Sequence, residues 1–356
     1  MVRRRWQWQA PWRWRWQRVG KWAAWAVAVL VVLPVTLAAT ALRAGYAGAA
    51  APDATTRGRD AIWLGHAWVD GRKDASDVAA LRRRVEGTGI RDLYVHAGPL
   101  EHDGTLPPAR TAYPRARWLI AAVHRELPSV RVHAWLGDRL VYEPGARGGL
   151  RLSDAAARRA IVGSARQVLA AGFAGVHLDL EPVHSGNADY LRLLDRLGPA
   201  VHDRGAILSV AVHQIDPLPG LHTVTGAVTG HPKWISQRFF GQVARRVDQI
   251  ALMSYDTALP VESLYGGYVA QQTRLALEAT DGRTDLLMGL PFFHTDDVGH
   301  HASAETVRAA VRGIRLGLTR EDPGRQRFGM ALYVDFAATD EDWSAYRSGW
   351  GRHGGS

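Results

Sequence analysis

From Asp60 onward, eight short apolar runs alternate with longer amphipathic ones, and this order leaves few folds open. The runs are AIWLGHAW (61–68), RDLYVHAG (91–98), VRVHAWLG (130–137), AGVHLDLE (174–181), AILSVAVH (206–213), QIALMSYD (249–256), DLLMGLPF (285–292) and GMALYVDF (329–336). Strands that alternate with helices lie parallel and are joined by right-handed crossovers. Eight units in about 290 residues match the size of a closed (β/α)8 barrel. The main rival is a doubly wound open sheet, but no Gly-rich phosphate turn follows the first run. The expected fold is therefore α/β, a (β/α)8 TIM barrel over 60–350 with a short tail at 351–356. Between the strands, SDAAARRAIVGSARQVLAAG reads as a helix with Ser153 as N-cap and Gly172 as C-cap. SAETVRAAVRGIRLGLTR repeats the pattern, with Ser303 placed before Glu305 as a cap.

The net charge of +10 suggests nucleic acid until it is mapped. Residues 1–59 hold ten of the 44 basic side chains and one of the 34 acidic ones, so the rest carries 34 and 33. The predicted barrel is nearly neutral, which excludes a basic nucleic-acid-binding domain. With no cysteine, disulfides, thiol nucleophiles and thiolate metal sites are excluded.

The basic excess belongs to an Arg/Trp-rich tail (1–21) that gives way to a run without charge from Trp22 to Leu42. Those 21 residues match the ~20 that a transmembrane helix needs. Seven Lys or Arg and no acid precede the run, which places the tail in the cytoplasm and the barrel outside. The expectation is a single-pass signal-anchor, with residues 43–59 as an Ala/Gly-rich linker. The alternative is a secreted protein released by cleavage near Ala49, although the apolar run is long for a signal peptide.

The fourth run, FAGVHLDLEP (173–182), carries polar groups at every second position. Side chains two apart on a strand share a face, so His177, Asp179 and Glu181 point one way and Val176, Leu178 and Leu180 the other. In a barrel whose strands end at the active face, this directs two carboxylates into the lumen near the mouth. The other strand ends offer His66 and Trp68, His96, Trp135 and Asp138, His213 and Gln214, Tyr255 and Asp256, Phe293 and His294, Tyr333 and Asp335. Aromatic faces beside carboxylates and amides suit a sugar.

AGVHLDLE resembles the fourth-strand motif D-G-x-D-x-D-x-E of glycoside hydrolase family 18, the chitinases and related N-acetylglucosaminidases. Gly175, Asp179 and Glu181 match it; Ala174 and His177 stand where the first two aspartates belong. MSYD (253–256) matches the sixth-strand M-x-Y-D. MGLPFF and GMALY echo the seventh and eighth strands, with Tyr333 in place of a tryptophan. The third-strand S-x-G-G is absent, and HAWLGD occupies its place. The resemblance implies Glu181 as general acid, Asp179 as the residue orienting the substrate's acetamido group, and Tyr255 as its hydrogen-bonding helper. In this scheme the acetamido oxygen replaces a second enzyme carboxylate as nucleophile. His177, Gln214, Met253, Asp256, Tyr333 and Trp135 are the expected substrate-binding residues, with no metal and no cofactor.

The function expected is hydrolysis of a β-linked N-acetylhexosamine glycan, chitin-like or peptidoglycan, by a membrane-tethered enzyme. The alternatives are a non-catalytic glycan-binding barrel at the cell surface and a two-carboxylate glycosidase pairing Glu181 with Asp256 or Asp335. Neither a G-x-S-x-G turn nor a phosphate-binding loop is present. HTDDVGHH (294–301) holds many ligand-type side chains without a metal-site spacing and reads as a solvated loop facing the substrate.

Overall fold

A computed structural model describes residues 29–30, 32–143, 145–229 and 232–351. All eight expected strands form: β1 (Asp60–Leu64), β2 (Ile90–Pro99), β3 (Arg131–Arg139), β4 (Gly175–Glu181), β5 (Ile207–Val212), β6 (Gln249–Leu252), β7 (Asp285–Pro291) and β8 (Phe328–Tyr333). They pair in parallel in chain order, and β8 returns to β1 to close the barrel. Residues 32–46 form helix α1. The early crossovers hold α2 (Ala67–Asp70), α3 (Ala75–Val85), α4 (Ala109–Ala112), α5 (Ala116–Glu126) and α6 (Ala155–Ala170). The later ones hold α7 (Ala188–His202), α8 (Leu221–Thr229), α9 (Gln237–Ala244), α10 (Glu262–Ala279), α11 (Val307–Glu321) and α12 (Asp340–Trp350).

Two caps differ from expectation by a few residues. Asp154 rather than Ser153 caps α6, accepting from the Ala156 N–H at 2.7 Å. Thr306 rather than Ser303 caps α11, accepting from the Ala309 N–H at 3.1 Å. In each case the residue bordering the first turn has the extended backbone that aims its oxygen at a free amide. Gly172 follows α6 at φ 108°, the left-handed conformation in which a side chain is strained.

The strands' outward residues, among them Val176, Leu178 and Leu180, are buried against the helices. Each such side chain contributes about 1.5–3 kcal/mol. The lumen is filled differently. At the end where the strands begin, Asp92 accepts from Arg131 at 2.7 and 2.8 Å, from His133 at 2.8 Å and from Gln249 at 3.0 Å. Burial alone would raise this carboxyl, but His133 and Arg131 outweigh it and hold Asp92 well below the usual range. A small cluster of Ala61, Trp63, Tyr94, Ala211, Ala251 and Leu287 lies above.

Residues 43–59, expected to form a linker, lie pinned along the barrel wall instead. Arg320 donates to the carbonyls of Gly45 and Ala47, and Arg312 to those of Tyr46 and Gly48 at 3.2 and 3.1 Å. Arg315 holds Ala54 at 2.8 Å and Ala51 at 3.3 Å. The end of α1 is seated directly on α10: a Cβ on Gly267 would lie 1.9 Å from the Leu42 carbonyl oxygen. Small residues permit this close backbone approach, so the composition that reads as flexible packs tightly here. Among the described residues no helix is long and apolar enough to cross a membrane. The expected tail (1–21), residues 22–28 and 31 of the expected span, and residues 352–356 lie outside the described residues.

Asp60, fully buried at the start of β1, ties strap, barrel and last helix together. It accepts from Thr56 Oγ1 at 2.8 Å, Met330 N at 2.7 Å, Tyr346 Oη at 2.7 Å and Trp350 Nε1 at 3.0 Å. Asp60→Ala leaves those donors buried without an acceptor, at about 1–3 kcal/mol each. Denaturant unfolding of the variant is expected to show a loss of at least about 3 kcal/mol; an unchanged midpoint would contradict this role.

Candidate active site

β4 presents its polar face to the lumen as the alternation requires, and the three side chains sit at three depths. His177 is deepest and fully buried. Its Nε2 accepts the Trp63 indole N–H at 3.1 Å, which leaves Nδ1 to donate to Ser209 Oγ at 2.8 Å. The ring stacks on Tyr94 at 3.8 Å. Burial, then the neighbouring His133, push its pKa well below the ordinary value, so it is a neutral imidazole. The expectation that His177 contacts substrate is therefore corrected: its ring is closed in by Trp63, Tyr94 and Ser209 and pairs with neither acid.

Asp179 lies one pleat higher. Its Oδ2 accepts from Trp135 Nε1 at 2.9 Å, and its Oδ1 is buried with no hydrogen-bond partner. Gly137 is its register partner on β3, and a Cβ there would stand 2.6 Å from the Asp179 carbonyl oxygen. Glycine allows the β3 and β4 backbones to approach this closely there. Glu181 is at the rim opposite Arg139, and its Oε1 is also buried and unpaired. A cavity of about 450 Å³ opens over the pair, lined by Trp135, Asp138, Arg139, Pro182, His96 and His213.

Both carboxyls are pushed up in pKa. For Asp179 burial is the main cause, followed by the charge of Glu181, while the Trp135 bond opposes them. For Glu181 burial again leads, followed by the charge of Asp256. Two acids two residues apart in a poorly solvated site retain a proton between them near neutrality. This is the state in which one carboxyl can donate while the other stays charged.

The sixth and eighth strands supply the opposite wall. Tyr255 stacks on Tyr333 with ring centres 5.6 Å apart, and Phe293 meets both rings edge-on. Burial, then Tyr333 and the two acids, push the Tyr255 phenol well up, which keeps it a neutral donor. Asp256 is exposed at φ 58°, and Met253 is half-buried. Gln214 is not available to a ligand: it is buried, its amide donates to the Tyr255 carbonyl, and its oxygen accepts from Tyr268 Oη at 3.4 Å. It braces the β5 and β6 ends, which corrects its expected role. Asp335 is likewise occupied, accepting from Trp68 Nε1 at 2.7 Å and Gly65 N at 2.8 Å.

No protein-family model matches this chain, and no curated protein matches it. Solved structures do. A chitinase from Chromobacterium violaceum superposes with a TM-score of 0.52 at 16% identity, covering 81% of this chain and 98% of its own. The spore cortex-lytic enzyme SleL of Bacillus megaterium gives 0.57 at 12%, covering 83% and 75%. A GH18 chitinase from Cycas revoluta, solved in complex with (GlcNAc)3, gives 0.53 at 14%, covering 82% and 99%. This chain shares the closed (β/α)8 barrel of those structures.

Within that fold the sequence reading passed over several groups at the cleft. Arg139 was hidden because it falls just past the run read as β3. His213, already named among the strand ends, lines the cavity. In HTDDVGHH, expected to be solvated, His300 is 1% exposed. It lies with Asp256 and Glu305 so that their ligand-type atoms fall within 4.8 Å of one another. Its Nδ1 donates to Asp256 Oδ1 at 3.0 Å and lies 3.4 Å from Glu305 Oε2, and no cation role is assigned to the group.

The Trp135 bond opposes the rise of the Asp179 pKa, so Trp135→Phe, which keeps a ring but loses the N–H, lets it rise further. Asp179 then takes up its proton at higher pH as the solution is acidified. The acid limb of the rate profile is expected to move up by about half a unit or more. An unmoved limb in a folded variant would exclude the bond as a tuning element.

Proposed function

We propose that the chain is a glycoside hydrolase acting on a β-linked glycan that contains N-acetylhexosamine, with Glu181 as general acid and the substrate's acetamido oxygen as nucleophile. The observation that carries this reading is the pairing of Asp179 and Glu181 along one strand beneath an open cavity, each with a buried, unpaired oxygen. Glu181 would protonate the glycosidic oxygen as the bond to the anomeric carbon breaks. Asp179, fixed by Trp135, would orient the acetamido group and offset the positive charge on the cyclic intermediate. Tyr255 would donate to the acetamido group from the facing wall, and Tyr333 and Trp135 offer aromatic faces to the sugar.

A conventional two-carboxylate mechanism is less well supported. Asp335 is held by Trp68 and Gly65, and Asp256 is bonded to His300 at 3.0 Å. Asp179 is the acid left beside Glu181, and sharing its strand places it alongside the acid rather than across the sugar. Neighbours of this fold include chitinases and a spore cortex-lytic enzyme. Chitin-like polymers and peptidoglycan are accordingly the substrates to offer first.

We also propose that residues 22–42 anchor the barrel to a membrane, with the barrel on the extracytoplasmic side. The uncharged run and its basic flank support this. So do Val32, Leu33, Val35 and Leu37, each more than half exposed on α1 where a lipid phase would cover them. Release by cleavage near Ala49 is less well supported, because the arginines of α11 hold residues on both sides of that point.

Glu181→Gln is expected to lower reducing-end release from chitin oligomers or peptidoglycan strands by about 10²–10⁴-fold while glycan binding persists. An oxazoline-type inhibitor should bind tightly to the wild-type chain if the acetamido group is the nucleophile. A wild-type chain that binds glycans and cleaves none across that panel would replace the hydrolase with a binding barrel.

A further inference from the structure

His300 lies in the loop between β7 and α11, with its imidazole between two carboxylates from different segments. Its Nδ1 is 3.0 Å from Asp256 Oδ1 and 3.4 Å from Glu305 Oε2. Carboxylates carry no hydrogen to offer when ionised, so Nδ1 must be the donor. Nε2 is buried without a partner, and the Phe293 ring packs on the imidazole at 4.3 Å.

Glu305 is buried to the same degree and does a second job. Its Oε1 accepts from Thr257 N and Thr257 Oγ1, both at 3.0 Å, and from Ala258 N at 3.2 Å. Asp256 and Ala258 each sit at φ 58°, a left-handed backbone that non-glycine residues adopt at a cost. The carboxylate of Glu305 thus grips the turn on which Asp256 stands, and His300 links Glu305 to the Asp256 side chain itself.

The charges around the imidazole come from several elements. Lys233, from the loop before α9, acts on both Asp256 and Glu305. Tyr265 on α10 is kept neutral by burial and those same acids. Asp297 accepts from the His300 backbone N–H at 2.9 Å, which fixes the loop. The charge of Asp256 in turn acts on Glu181 and, after burial, pushes its pKa up.

We propose that His300, clamped by Glu305, is a positioning residue that holds the Asp256 carboxylate, and so a fixed negative charge, toward Glu181. This rests on the acid role proposed for Glu181 only for its catalytic meaning; the His300–Asp256 bond stands independently of it. Burial would lower the His300 pKa, but Asp256 and Glu305 outweigh it and push it up to about 9. The imidazolium therefore persists through neutrality. Without it, the half-exposed Asp256 side chain faces Glu305 as a like charge and turns into solvent, where its field on Glu181 is screened.

The test uses the full chain and needs no turnover. Side-chain NMR follows the His300 imidazole and the Glu181 carboxyl carbon through a pH titration in wild type, His300→Gln, Asp256→Asn and the double variant. The His300 signal should remain that of an imidazolium above pH 8. The Glu181 midpoint should fall by about half a unit or more in His300→Gln. It should fall similarly in Asp256→Asn, with no further fall in the double variant, since His300 acts through Asp256. Additive shifts, a rise in His300→Gln, or an imidazole that titrates near the ordinary histidine value would each overturn the proposal. Should His300→Gln fail to fold, Glu305→Gln serves. It removes one of the two negative charges beside the imidazole, and the His300 midpoint must then drop; a midpoint that stays put overturns the clamp. A chain with these titrations but no hydrolysis would sink the hydrolase reading and leave the clamp standing.

Discussion

The constraint on which the site depends is the desolvation of two carboxyls one pleat apart inside a closed barrel. An isolated ionised carboxylate cannot be buried in such a place without a large cost. Each polar level of the lumen meets that demand differently. At the closed end Asp92 stays ionised because Arg131 and His133 supply positive charge and hydrogen bonds. In the middle His177, Tyr94 and Ser209 form a neutral group in which the Trp63 N–H fixes the tautomer. At the open end no cation contacts Asp179 or Glu181 among the described residues, and retained protons replace the missing charge. At that end two acid oxygens, Asp179 Oδ1 and Glu181 Oε1, are left unpaired beneath an open cavity.

His177 illustrates how one substitution in a motif is absorbed. The family motif places an aspartate there, able to share a proton with the next. A neutral imidazole bonded on both nitrogens has no such capacity. Asp179 instead couples to Glu181, which pushes its pKa up, while the Trp135 N–H and His213 oppose that rise. Trp135 occupies β3 where the family's S-x-G-G pattern is missing, so the two departures meet at a single carboxylate. Each strand taken alone looks degenerate; the pair forms a connected arrangement.

What was legible in the sequence follows from period and order. Alternating strands and helices led to the barrel, and period-two spacing in FAGVHLDLEP placed Asp179 and Glu181 on the lumen face. Depth was not legible. The same spacing puts His177 on that face but does not say that Trp63 and Tyr94 will close over it. Gln214 stands at a strand end, yet its amide turns sideways to brace β6. His300 was lost among other polar residues of a long loop, since only the turn carrying Asp256 reveals what it touches. Glu305 looked like part of a helix cap because its contacts are with a segment nearly fifty residues earlier in the chain.

The strap of residues 43–59 changes how the proposed anchor relates to the site. An Ala/Gly-rich linker would act as a slack leash and leave the mouth free to tumble. Here the last turn of α1 lies backbone to backbone on Gly267, and Gly313 of α11 meets Gly266 so closely that a Cβ would stand 2.3 Å from its carbonyl oxygen. Three helices share one small-residue seam, and four arginine-to-carbonyl contacts follow within residues 45–48. A helix seated in that way transmits its own orientation to the barrel. If residues 22–42 lie in a bilayer, the attitude of the cleft toward the cell envelope is set by side-chain volume at Gly266, Gly267 and Gly313 rather than by linker length.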